Sequence, residues 1–277
     1  GDLLNGSGDE PVVLERLGKT GQDLHAFEPS AADIRMLSGA DILICIGSFA
    51  ETWLDGAIRA SGNRSLRVLS MTDVCELHEE EELPGLGEHD HHHDHEHGEG
   101  TQVEYDEHVW TSFGNMAHIV TAVRDTLTAA LPEQAATLQT NAASYLLELD
   151  ALRADYQATV ASAADPVLVI ADRYPFAYLM RELGVVCYAA FPGCSSETQA
   201  SFSTQVMLTE TVRDLHLPAV LYVDFGVASV ADAVSRATGV PVRRLWSGQV
   251  ASDTGLSYLD MLRENLVSLR AALGVTG

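Results

Sequence analysis

Basic residues are scarce in this chain. Its 277 residues include 16 Lys and Arg against 40 Asp and Glu, a formal net charge of −24 at pH 7. The shortage is sharpest over 76–107, where 13 carboxylates stand without one Lys or Arg. Setting those 13 aside leaves 27 acids against 16 bases, a balance of −11, so about half of the acidity belongs to one local insert. Such a charge disfavours nucleic-acid phosphates as partners and attracts cations. Long apolar runs are also lacking. No stretch of 18 apolar residues occurs, so no segment reads as a membrane-spanning helix. Cysteine is sparse, and its four copies do not read as a disulfide framework. Cys45, inside "DILICIG", and Cys187, inside "GVVCYAAF", read as buried free thiols. Cys75 sits near a loop and carries no signal. Cys194, in "FPGCSSET", follows a strand among turn formers and is the one thiol with a candidate role.

Several catalytic signatures are absent as well. There is no Walker-type phosphate loop, no G-x-S-x-G turn and no H-E-x-x-H helix, so hydrolytic chemistry has little support. No N-terminal signal segment is present, and a chain whose leader had been removed would read the same.

What is present alternates between helix and strand. "DIRMLSGADILICIGS" (33–48) gives a short helix, a Gly break and an apolar strand, and "SLRVLSM" (65–71) gives another strand. "WTSFGNMAHIVTAVRDTLTAAL" has apolar positions at helical spacing, with Thr or Ser placed to cap it. Pro132 opens about thirty residues without an internal Gly or Pro, roughly 45 Å of helix at about 1.5 Å per residue. Beyond it, "PVLVIAD", "GVVCYAAF", "PAVLYVDFG" and "VPVRRLWS" read as strands with helices between them. Continuous apolar strands separated by helices argue for parallel sheets covered on both faces. The fold expected is α/β, two parallel-sheet lobes joined by a single long backbone helix. The lobes are expected at 1–131 and 164–277, with the linking helix at 132–163. Ligands of such folds sit outside the carboxyl ends of the strands, which places a site in the interlobe cleft.

Histidine carries the remaining signal. Seven of the eleven histidines fall within 86–110. The stretch 76–107 has the composition of a mobile, hydrated loop that forms no core but offers exchangeable imidazoles. His25, in "GQDLHAFEPS", stands in a loop ahead of a helix, where a lone histidine is most often merely solvated. His108, in "YDEHVWTS", also stands at a turn before a helix. Two histidines supplied by separate loops are a plausible half of a tetrahedral zinc site.

These stretches, with "ADRYPFAYL", "AAFPGCSSETQASF" and "GLSYLDMLRENLVSLRAAL", resemble the zinc-uptake solute-binding proteins of bacterial ABC importers, the ZnuA-like and TroA-like metal receptors. The resemblance runs from residue 21 to residue 274. It implies two lobes bridged by a rigid helix that limits hinge motion, one metal ion in the cleft, and delivery of that ion to a membrane ABC permease. It matches His25 and His108 to the first two metal ligands and the insert to a mobile zinc-gathering loop. In the second lobe the pattern departs from the family. The third ligand position falls on Arg173, which has no lone pair to give, and the fourth falls on Trp246. Cys194 and Asp172 are the donors expected to complete the set, against the alternatives of a tucked loop thiol and an ion pair with a nearby arginine. Asp224, Glu51 and Asp23 are further contenders. Two imidazoles with a thiolate and a carboxylate would favour Zn²⁺ over Mn²⁺. The front also departs: the strand and helix that the family places before the segment matching "PVVLERLGKTGQDLH" are expected to be missing, and a missing strand would expose a neighbour's edge.

The expected function is an extracytoplasmic receptor, periplasmic or a surface lipoprotein, that captures Zn²⁺ for an importer and is not an enzyme. Zinc affinity should fall as pH drops below about 6.5, where imidazoles protonate. One alternative is a metal-binding surface adhesin of the same fold. Another is a zinc hydrolase using Asp106 or Glu107 as base. A third is a degenerate receptor that has lost tight binding.

Overall fold

The structure, a computed structural model, describes residues 2–4, 12–18, 27–48, 51–80, 83–84, 105–193, 200–226, 228–249 and 255–275. The first lobe opens with helix α1 (Ala31–Gly39). Its start is set by a capping box: the Ser30 hydroxyl accepts from the Ala32 and Asp33 amides, and the Asp33 carboxylate accepts from the Ser30 amide at 2.7 Å. Strand β1 (Ile42–Cys45), helix α2 (Leu54–Ser61) and strand β2 (Arg67–Ser70) follow. Gly62 stops α2 in the left-handed region at φ 66°, where a side chain would be strained. β1 and β2 pair in parallel from Ile42 opposite Arg67 to Cys45 opposite Ser70. Among the described residues this sheet has two strands, and it presents Ile44 and Val68 to solvent at 37% and 46% exposure.

Helix α3 (Phe113–Ala130) is capped by Ser112, whose hydroxyl accepts from the Asn115 amide. Pro132 opens a 3₁₀ turn, and from Ala135 the chain continues as the long helix α4 (Ala135–Ala161). Its 27 residues span about 40 Å. Leu138, Ala142, Leu149, Leu152, Tyr156 and Val160 are its buried apolar side chains, at helical spacing, and the helix packs on α3 and on the second lobe.

The second lobe alternates β3 (Val167–Tyr174), α5 (Ala177–Leu183), β4 (Val186–Pro192), α6 (Phe202–Asp214), β5 (Val220–Val223), α7 (Ser229–Thr238), β6 (Val242–Leu245) and α8 (Tyr258–Ala272). All strands are parallel, in the order β4-β3-β5-β6. β3 lies at the heart of the core, and its residues divide between the two faces as the period of a strand requires. Leu168 and Ile170 join Tyr156, Met180 and Leu269 on one side. Val169 and Ala171 join Leu208 and Val234 on the other. That double covering is why the strand reads as an unbroken apolar run. Cys45 and Cys187 are buried free thiols. Among the described residues no helix is long and apolar enough to cross a membrane.

Candidate metal centre

His108 precedes the 3₁₀ turn Val109–Thr111 and is fully buried. Asp106, two residues earlier, holds it twice. One carboxylate oxygen accepts from the His108 amide at 2.7 Å and lies 2.8 Å from ring Nδ1. A carboxylate there takes the Nδ1 proton's hydrogen bond, which puts the imidazole lone pair on Nε2, the form a metal ligand needs. Gly193, just past β4, gives the ring its room. A Cβ at Gly193 would stand 3.1 Å from His108 Cε1 and 2.9 Å from the Tyr174 carbonyl oxygen. The imidazole is therefore wedged against the carboxyl ends of β3 and β4, where parallel sheets take their ligands.

The turn that carries His108 is fastened across the lobes. Trp110 Nε1 donates to the Ser247 carbonyl at 2.9 Å, and the Tyr258 hydroxyl donates to the Trp110 carbonyl at 2.6 Å. The Tyr178 hydroxyl donates to the Asp106 carbonyl at 2.6 Å, and Ser112 donates to Glu182 at 2.7 Å. On the first-lobe side, Glu107 accepts from the Ser48 hydroxyl, and the Asp106 amide donates to the His78 carbonyl at 3.0 Å.

The ends of the histidine-rich stretch are held in the fold. Glu76 exchanges two hydrogen bonds with the Asn115 side chain, Glu79 bridges to Tyr105 in antiparallel fashion, and Asp106 and Glu107 are buried. Residues 85–104, which hold the other clustered histidines, lie outside the described residues.

Asp172 is buried at the end of β3, beside a register shift. Its oxygens accept from the backbone amides of Arg173 at 2.9 Å and of Val223, on β5, at 3.2 Å. Burial pushes this carboxyl above the usual range, and those two amides pull it back. The Arg173 guanidinium lies over the Phe225 ring, 5.4 Å from its centroid. Asp224 turns to the Ser247 amide at 2.9 Å, and Glu51 turns to the amides of Gly47 and Ile46. Trp246 is held by Glu264 at its indole nitrogen, by Asn265 at its amide, and by the Arg244 guanidinium 4.0 Å above its ring. His25, Cys194 and Asp23 lie outside the described residues. Among the described residues no three His, Cys, Asp or Glu side chains converge as a metal site would need. The part of Asp106 in holding His108 does not stand out in the sequence. The Asp-x-His spacing was the available signal, since a short carboxylate two residues back can reach Nδ1.

Two parallel α/β lobes, a long helix packed against both, and a buried imidazole at the strand ends define a two-lobed α/β fold with a candidate metal ligand between the lobes. The chain belongs to the family described as "ZnuA: Zinc-uptake complex component A periplasmic", whose model matches residues 2–272. It is 26% identical over 288 residues to the zinc-binding protein AdcA of Streptococcus pyogenes serotype M3, covering 99% of this chain and 54% of that protein. The chain thus spans about half the length of the curated relatives it matches first. Among solved structures, the periplasmic zinc-binding protein TroA from Treponema pallidum is 22% identical with a TM-score of 0.76, covering 98% of this chain and 95% of that one. The Zn(II)-bound ZnuA-like domain of Streptococcus pneumoniae AdcA is 23% identical with a TM-score of 0.73, covering 98% and 93%. At these identities the structural likeness establishes the fold.

Proposed function

We propose that this chain is the zinc-capturing receptor of an uptake system, working outside the cytoplasm and handing Zn²⁺ to a membrane ABC permease. The observation that carries the proposal is His108, buried at the strand ends and held through Nδ1 so that its donor nitrogen is Nε2. Family membership supports zinc as the cargo, and the description of that family as periplasmic supports the location. The formal charge of −24 favours approach of a cation. His25 supplies the second imidazole in this reading. Cys194 is the third donor, supported by its place directly after Gly193, the residue packed on the His108 ring. Asp172 is the fourth and least supported donor, because both its oxygens already accept backbone amides, although a carboxylate has lone pairs for more. The two imidazoles and the thiolate would select zinc over manganese.

Titration of the purified protein with zinc chloride against a chromophoric chelator tests the reading. His25→Ala and His108→Ala should each abolish tight, one-to-one binding, and Cys194→Ser should weaken it. Tight binding that survives loss of either histidine would remove the proposal. Anomalous scattering at the zinc edge would assign the donors directly, as atoms within about 2.0–2.3 Å of the peak.

A further inference from the structure

The hydroxyl of Tyr178, on α5, sits between two segments that lie 28 residues apart in the chain. It accepts from the His78 amide at 3.1 Å and donates to the Asp106 carbonyl at 2.6 Å. The same two segments bond to each other, Asp106 amide to His78 carbonyl at 3.0 Å. Tyr178 thus closes a small ring of hydrogen bonds whose far side is the residue that holds His108. Tyr178 is buried, and so is Asp106. A buried carbonyl and a part-buried amide that lose their partner are costly, so this ring resists being pulled open.

We propose that Asp106 and Tyr178 are positioning residues for zinc capture. Asp106 orients His108 through Nδ1, and Tyr178, reaching from the second lobe, fixes the backbone that carries Asp106. The inference rests on His108 being a zinc donor and adds the groups that aim it. Neither side chain touches the metal. Asp106 keeps the imidazole in the tautomer with its lone pair on Nε2 and stops rotation about the ring's long axis. Tyr178 acts one step further back, and its ring also stacks near His78, with centroids 5.3 Å apart. The arrangement places both ends of the histidine-rich stretch on the same hydroxyl that steadies the ligand.

The test compares zinc affinities of Asp106→Ala, Asp106→Asn and Tyr178→Phe with wild type, using zinc chloride and a competing chelator. Asp106→Ala should bind about 10–100-fold more weakly, the usual effect of losing a ligand's outer hydrogen-bond partner. Asp106→Asn retains an acceptor for Nδ1–H and should recover part of that loss. Tyr178→Phe should weaken binding by about 2–10-fold, the value of one buried hydrogen bond. Tyr156→Phe is the comparison variant, since it removes another buried hydroxyl-to-carbonyl bond, to Leu262, that takes no part in the ring at Asp106. It should lower the melting temperature yet leave zinc affinity unchanged. In ¹⁵N-labelled zinc-loaded protein, the His108 Nδ1–H signal should be slow to exchange, and Asp106→Ala should erase that protection. Wild-type affinity and an unaltered imidazole signal in Asp106→Ala would overturn the role of Asp106. An affinity loss in Tyr178→Phe no larger than in Tyr156→Phe would overturn that of Tyr178. If His108→Ala itself retains tight binding, the receptor reading through His108 falls first. If His108→Ala loses zinc while both positioning variants keep it, only the present inference falls.

Discussion

Gly193→Ala is the substitution that bears most directly on the seat of His108. The new Cβ would lie 2.9 Å from the Tyr174 carbonyl oxygen, 3.1 Å from His108 Cε1 and 3.3 Å from Nδ1. Carbon–carbon contacts are favourable near about 3.5–4.0 Å, so the ring must retreat by several tenths of an ångström. The carbonyl belongs to β3 and yields little. Overpacking of this kind costs about 1–3 kcal/mol. With tenfold in affinity per about 1.4 kcal/mol, that is roughly 5- to 150-fold if the whole penalty falls on the zinc-bound state. If the apo protein already bears part of it, that part appears as lost stability, so the two losses should together reach about 1–3 kcal/mol. Zinc competition titration and urea unfolding of the metal-free protein measure the two shares. Gly56→Ala provides the contrast. It lies inside α2 with nothing within 4 Å of its Cβ, so it should gain about 0.5–1 kcal/mol of stability and leave zinc alone. Unchanged affinity and stability in Gly193→Ala would refute the packing account of the His108 seat.

Gly226→Ala should destabilise the second lobe by about 1–3 kcal/mol, because its Cβ would land 1.8 Å from an Asp172 oxygen and break the tie from β3 to Val223; a urea midpoint equal to wild type would contradict this. Glu51 has its carboxyl raised above the ordinary 4.5, first by burial and also by Glu107, with the Gly47 and Ile46 amides opposing. A raised folded value gives stability that is full below the unfolded value and is lost as pH rises through the folded one. Glu51→Gln, which stays neutral, should therefore compare best with wild type at neutral pH and lose ground as pH falls toward 4.5. Urea melts of the two proteins at several pH values check the sign of that trend.

Features that repeat along the chain were legible, and features that depend on one approach in space were not. The apolar run of β3 announces a strand covered on both faces because each of its faces meets its own cluster. The Ser30–Asp33 box and Ser112 mark helix starts because capping is local chemistry. His108 stood out as a candidate because it sits at an acidic turn before a helix and pairs with a second loop histidine, and the structure buries it at the strand ends. Its support was hidden: Tyr178 lies 72 residues from Asp106 in sequence, and a tyrosine inside an apolar helix looks like core. Gly193 looks like an ordinary turn glycine until the ring beside it is seen. Asp172 was legible as a carboxylate at a strand end, but the two backbone amides its oxygens accept, beside a register shift, follow from no pattern of residues.

The fastening of residues 105–112 also limits how the two lobes can move. Wide separation of the lobes would break Trp110 to Ser247, Tyr258 to Trp110 and Tyr178 to Asp106, or carry this segment away from Ser48 and His78. Water can reach the groups once the lobes part, so each lost hydrogen bond counts for about 0.5–1.5 kcal/mol and three such breaks oppose opening by about 1.5–4.5 kcal/mol. The 27-residue helix α4, packed on α3 and on α8 together, adds a strut that cannot fold at a hinge without exposing Leu149, Leu152 and Tyr156. Zinc should therefore be met by local shifts of loops and side chains. Small-angle scattering of the protein with and without zinc chloride should give the same radius of gyration within error. A clear contraction on adding zinc would show that the interlobe bonds open in the metal-free protein, and the rigid seat of His108 would have to be abandoned.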